Sequence, residues 1–131
     1  MILITGACAQ GKTAFAQNTL NLNTMSCRDI PDSFIKELAL PDDCTCLDDY
    51  EVLIRRLTEL GISPMEFTHT LCEKYPALCI ILAEVGAGVI PMERRDREYR
   101  EFAGKCGCII AEHSEMVYRL ICGIPQMIKG E

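Results

Sequence analysis

At 131 residues, with 49% hydrophobic and 24% charged residues, the chain has the size and balance of one soluble globular domain with a genuine core. A net charge of −6 argues against the cationic footprint of a general nucleic-acid binder. The longest apolar run, Leu78 to Val85, is too short to cross a bilayer and carries Glu84, so no membrane partner is expected. No basic and then apolar segment opens the chain, which predicts residence in the cytoplasm.

Residues 1–5 read as a buried strand, Met1-Ile2-Leu3-Ile4-Thr5, and residues 12–20 as a helix. Between them lies Gly6-Ala7-Cys8-Ala9-Gln10-Gly11-Lys12-Thr13, a G-x-x-x-x-G-K-T pattern at a strand-to-helix junction. Glycines let the backbone curl so that successive N–H groups point into one cavity, and the helix N-terminus adds partial positive charge there. Lys12 is placed to reach the β- and γ-phosphates, and the Thr13 hydroxyl to ligate Mg²⁺. The expected ligand is a nucleoside triphosphate, ATP or GTP, cradled by Gly6, Ala7, Cys8, Ala9, Gln10, Gly11, Lys12 and Thr13. On this reading 1–131 is a single P-loop nucleotide-binding domain.

Residues 21–43 carry a weaker signal, with a short helix from Asp32 to Leu40 between Pro31 and Pro41. Thr45 to Leu47 reads as a short strand running into Asp48-Asp49. Tyr50 to Leu60 has apolar Val52, Leu53, Leu57 and Leu60 at helical spacing, with Gly61 as its stop. Ser63-Pro64-Met65-Glu66 is a capping box opening a helix to about Lys74. Leu78 to Ala83 reads as a fully buried parallel strand with Glu84-Val85-Gly86-Ala87-Gly88 as its exit. A long helix covers Arg94 to Ser114. On it Arg94, Arg95, Arg97, Arg100 and Lys105 alternate with acidic residues, the pattern of a solvated face with i,i+4 pairs. Val117 to Cys122 is the last major strand, and Gln126 to Lys129 a hairpin arm after Gly123-Ile124-Pro125. The alternation predicts an α/β fold with a mostly parallel sheet and helices on both faces.

In such a sheet, ligands gather at the C-terminal ends of the strands. Asp48 ends the second predicted strand and is the candidate Mg²⁺ ligand beside Thr13. The alternative is that Asp48 or Asp49 caps the helix that follows. Glu84 ends the most apolar strand, where an unpaired carboxylate is costly. It is the candidate to position or deprotonate an acceptor hydroxyl or to join the Mg²⁺ shell; alternatively it hydrogen-bonds the glycine loop after it. The nine cysteines are odd in number and lack a disulfide framework, so they read as reduced thiols used as small hydrophobes. Cys44 and Cys46 would share one strand face, whereas Cys106 and Cys108 would lie about 200° apart on a helix. Only His69 and His113 could complete a zinc site. Both read as surface or helix-end residues.

Three stretches together resemble one family. They are the opening strand with its loop, the run Glu84-Val85-Gly86-Ala87-Gly88-Val89-Ile90-Pro91, and the tail with Gly123-Ile124-Pro125 and Lys129. The family is the bifunctional adenosylcobinamide kinase/adenosylcobinamide-phosphate guanylyltransferase of cobalamin biosynthesis. Arg94, Arg97, Tyr99, Arg100, Glu101 and Gly104 fall in register with its pattern. The resemblance implies a RecA-like P-loop fold reduced in size, a homotrimer, adenosylcobinamide as acceptor, and catalysis by Lys12 and Glu84 with Mg²⁺ on Thr13 and Asp48. The chain departs from the pattern in its short 21–43 segment, which lacks the histidine that accepts GMP, so the guanylyl-transfer half is expected to be lost. The family's Arg-Ser before Gly-Lys is Ala9-Gln10 here, its Asn before the Glu is Ala83, and its Asn-Gln beyond the helix glycine is Gly107-Cys108. The residues after Asp48 are Asp49-Tyr50-Glu51 in place of Cys-Leu-Thr. A nucleotide-binding protein without turnover is the competing expectation.

Overall fold

The computed structural model describes residues 1–7, 9–84 and 94–130. Strand β1 (Ile2–Gly6) lies inside a six-stranded sheet of order β2-β3-β4-β1-β5-β6. Its partners β4 (Cys79–Ala83) and β5 (Met116–Ile121) both run parallel to it. β2 (Thr24–Ser26), β3 (Cys46–Asp48) and β4 are also mutually parallel, and among the described strands only β6 (Ile124–Lys129) is antiparallel. One strand, β4, therefore separates the strand that feeds the glycine loop from the strand that ends in Asp48.

Alternation along β1 divides the core between two faces. Leu3 joins a large cluster with Leu47, Ile80, Leu82 and Val117, and Ile4 joins a smaller one with Cys46, Cys79, Ile81 and Leu120. Successive strand residues point to opposite faces, so an apolar run such as Cys-Ile-Ile-Leu-Ala in β4 requires cover on both. The large cluster is covered by α2 (Asp32–Glu37), α3 (Tyr50–Glu59), α4 (Pro64–Lys74) and α5 (Arg94–His113). The other face is covered by α1 (Lys12–Ala14) and the π-helical turn Phe15–Thr19 that continues it. Phe15 packs edge-on against Tyr118, with ring centroids 5.1 Å apart.

The helix expected over 12–20 is thus α-helical for only three residues. It then widens, with Leu20 N–H reaching the Phe15 carbonyl at 3.2 Å, a geometry common beside functional sites. Strand β2 has no counterpart in the sequence expectation. Thr24-Met25-Ser26 is too short and polar to show periodicity. It is a strand because Asn23, which donates to Thr45 Oγ1 (2.7 Å) and to the Asp43 carbonyl (2.8 Å), docks it on β3. β6 also begins earlier than Gln126. Cys122-Gly123 closes a two-residue turn, so Ile124 and Pro125 already pair with Ile121 and Leu120, and proline is tolerated because β6 is an edge strand.

The helical layer is joined by a buried polar chain. Tyr50 Oη and Thr68 Oγ1 lie 2.8 Å apart, and Thr68 donates to Cys106 Sγ at 3.4 Å, linking α3, α4 and α5. Ser63 caps α4 by accepting from Glu66 N–H at 3.4 Å, with Pro64 in the first turn. Among the described cysteines all are free, and Cys27, Cys46, Cys72, Cys79 and Cys106 are buried. Burial pushes Cys72 up to about 11 and raises Cys27 and Tyr50 well above their ordinary values.

Three outcomes are expected. A Cβ at Gly6 would lie 2.6 Å from the Leu120 carbonyl oxygen, so Gly6→Ala should cost about 3 kcal/mol in urea unfolding through overpacking and backbone strain. Gly104→Ala, in α5 with nothing within 4 Å of the new Cβ, should add about 0.5–1 kcal/mol. The alkaline limb follows from the buried thiols and Tyr50. An unfolded thiol ionises near about 8.5, before the folded Cys72 at about 11. Stability is full below the lower value and is lost as pH rises through the upper one. The urea midpoint should fall across that window, and a flat midpoint would contradict it.

Candidate functional site

Three strand ends converge on one side of the sheet. β1 ends at Gly6, whose φ of 145° and close approach to Leu120 suit glycine alone. The chain then turns through Ala7, Ala9 and Gln10 to Gly11, at φ 87°, immediately before α1. Cys8 lies outside the described residues. The Lys12 side chain, only 9% exposed, folds back so that Nζ donates to the Ala7 carbonyl at 2.6 Å. Its ammonium is thereby held across the loop. Thr13, one residue on, donates its hydroxyl to Asp48 Oδ2.

Asp48 is held on both sides, since Oδ1 accepts the Asp49 N–H at 2.7 Å. Asp49 stands at the N-terminal boundary of α3 with φ 56°, but no side chain caps that helix. Its carboxylate instead accepts from Ser26 Oγ at 2.6 Å and faces Arg28 Nε at 3.7 Å. The acidic pair after β3 therefore divides its work. Asp48 meets the loop's threonine, and Asp49 ties β3 to the end of β2.

These residues surround a cleft of about 230 Å³, lined by Ala9 to Ala14, Arg28, Asp48, Asp49, Glu51 and Ala83. Two cations, Lys12 and Arg28, face three carboxylates there. Arg28, Asp49 and Glu51 were not singled out as ligand-contacting residues from the sequence. Arg28 follows the strand that has no periodic signal, and Glu51 read only as a first-turn helix residue. In the structure Glu51 Oε1 accepts from Ala83 N–H at 3.1 Å, and its carbonyl accepts from Tyr99 Oη at 2.5 Å. It joins α3, β4 and α5 at the rim of the cleft.

The Glu84 carboxylate does not line this cleft. It forms a bidentate pair with Arg119 of β5 (2.8 and 3.3 Å) and borders an adjacent cavity of about 290 Å³ with Thr5, Arg100, Gly104 and Gly107. Hydrogen bonding and charge from Glu84 raise the Arg119 guanidinium above its already high ordinary value. The Glu84 N–H donates to the Gly6 carbonyl at 2.9 Å, so the residue sits at the foot of the loop with its side chain turned next door. Residues 85–93, the remainder of the glycine run, lie outside the described residues. His69 and His113 are exposed and meet edge-on at 5.8 Å away from the cleft lining. The expected i,i+4 pairs on α5 are present as Arg94–Glu98 (3.2 Å) and Glu101–Lys105 (3.0 Å). No cluster of three or more His, Cys, Asp or Glu suited to a metal occurs among the described residues.

A mostly parallel sheet, a glycine loop joining its inner strand to a helix, and an acidic residue ending a strand beside that loop define the P-loop NTPase-like class. Within it, the chain matches the family model for cobinamide kinase / cobinamide phosphate guanyltransferase over residues 33–128 and belongs to that family in a short form. The matched stretch begins after the glycine loop and includes both Asp48 and Glu84. The family's activities belong to cobalamin biosynthesis and consume nucleoside triphosphates. No curated protein matches the chain.

Proposed function

We propose that this chain carries out the kinase half of its family's chemistry: Mg²⁺-dependent phosphoryl transfer from ATP or GTP to a corrinoid hydroxyl. The observation that carries the reading is the convergence of the Lys12 ammonium, the Thr13 hydroxyl and the Asp48 carboxylate at one loop. Backbone N–H groups from Gly6 to Lys12 would receive the phosphates. Phosphate oxygens are stronger acceptors for Lys12 than the Ala7 carbonyl it now contacts. Thr13 and Asp48 present hard oxygen donors already in contact, a set that fits Mg²⁺. That ion would neutralise charge on the β- and γ-phosphates. Lys12 then stabilises the charge developing on the transferred group. Arg28, which also lines the cleft, supplies a second cation, held to Asp49 by a contact long and exposed enough to exchange for phosphate.

Glu84, fixed in orientation by Arg119, accepts the hydrogen bond of the incoming hydroxyl from the neighbouring cavity. Residues 21–43 hold no histidine, so a histidine-linked guanylyl intermediate has no nucleophile there, and the guanylyltransferase half is absent from this reading. The reading places the protein in the cytoplasm as one nucleotide-binding domain over 1–131. No described helix is long and apolar enough to cross a membrane. A second reading, nucleotide binding without turnover, is favoured by one observation: the Glu84 carboxylate lies outside the cleft that holds Lys12.

Incubation with γ-labelled ATP or GTP, Mg²⁺ and cobinamide decides between the two. Label should appear on the corrinoid, and Lys12→Ala should lower the rate by about 10²-fold or more, as expected for loss of an electrostatic stabiliser. Arg28→Ala should lower it by about tenfold or more while leaving the fold intact. Nucleotide binding without label transfer would support the second reading. Equal turnover by wild type and Lys12→Ala would remove the loop from the mechanism.

A further inference from the structure

The turn between β5 and β6 lies against the glycine loop, although Gln10 and Cys122 are 112 positions apart. Cys122 and Gly123 are the two central residues of the hairpin turn, at φ 51° and 77°. A two-residue turn of this twist asks for positive φ at both positions and favours Asn-Gly. Cysteine at the first is a departure, and strained positions of this kind tend to mark function. The turn's own pair, Ile121 with Ile124, closes the ladder, which leaves the N–H groups of Cys122 and Gly123 free to bond outside the hairpin. Gln10 supplies both. Its side-chain Oε1 accepts from Cys122 N–H at 2.6 Å, and its backbone carbonyl accepts from Gly123 N–H at 3.0 Å. A Cβ on Gly11 would lie 3.4 Å from Gly123 Cα, so loop and turn are in van der Waals contact.

Peptide planarity gives this contact a consequence for the cleft. In a trans peptide the carbonyl and the following N–H point in opposite directions. With the Gln10 carbonyl anchored on the turn, the Gly11 N–H is directed away from the turn, and Gly11, Lys12 and Thr13 line the cleft. We propose that the Cys122–Gly123 turn, through Gln10, is a positioning element that holds the peptide between Gln10 and Gly11 with its N–H facing the phosphates of a nucleoside triphosphate. The inference rests on the phosphate-binding reading of the loop. Gln10 acts through Gly11 and is a positioning residue.

Amide hydrogen exchange at Gly11, Cys122 and Gly123, combined with titration of MgATP and MgGTP, tests the proposal on wild type, Gln10→Leu, Gly123→Asn and Lys12→Ala. Gln10→Leu keeps the bulk and removes the side-chain acceptor. It should speed exchange at Cys122 and weaken nucleotide binding by about tenfold, the worth of one hydrogen bond and the order it maintains, with the urea midpoint little changed. Gly123→Asn keeps the turn conformation and the N–H, and should bind within about twofold of wild type. Wild-type affinity in Gln10→Leu, despite an opened turn, would overturn the proposal. So would a loss of stability without a loss of affinity, or rapid exchange of both turn amides in the wild type. If wild type binds no nucleotide while those amides are protected, the phosphate-site reading falls and the positioning role falls with it. Lys12→Ala, expected to lose nucleotide with the latch intact, separates the two.

Discussion

The close approach of β1 to β5 at Gly6 is the contact on which the architecture turns. The space between Gly6 and the Leu120 carbonyl admits no Cβ, so the two backbones stay close just past their last paired residues, Thr5 and Arg119. That pairing brings the end of β5 beside the glycine loop, and with it the hairpin turn that touches Gly11. It also sets β1 between β4 and β5, so that Glu84 and Arg119 meet across the strand that separates them. A larger residue at position 6 would push β5 away and loosen the loop at its root.

The polar groups at the strand ends each have a partner within the chain. Lys12 rests on a carbonyl, Thr13 on Asp48, and Arg28 on Asp49 at a longer distance. None of the described buried side-chain polar atoms lacks a partner. The Arg28–Asp49 contact among them is an exposed pair. Glu84 differs. Its bidentate pairing with Arg119 is geometrically specific, and this sets the carboxylate toward the cavity beside α5.

The two faces of the sheet are unevenly covered. Four helices and a connected buried network of Tyr50, Thr68 and Cys106 protect one face. The other depends on α1, its π turn and a few large side chains such as Phe15 and Tyr118. The segment from 21 to 43 holds one edge strand and one short helix. Asn23 and Asp49 fasten that edge to β3 by side-chain hydrogen bonds, where longer strands would rely on apolar pairing.

The α/β class, the helices beginning at Tyr50, Pro64 and Arg94, and the convergence of the glycine loop with Asp48 were all legible in the sequence. Each depends on a local rule: period of apolar residues, capping chemistry, or the spacing of glycines before a lysine. Strand β2 was not legible, because three residues without alternation carry no period and become a strand only by pairing. The direction of the Glu84 side chain depended on Arg119, 35 positions away. Arg28 entered the cleft because β2 brought it there, and Gln10 acquired its role because the last hairpin folded against the first loop. Local backbone preferences act between neighbours in the chain. Which strand ends meet, and which charges pair there, follows from burying both faces of one sheet, a requirement that only the assembled tertiary structure can satisfy.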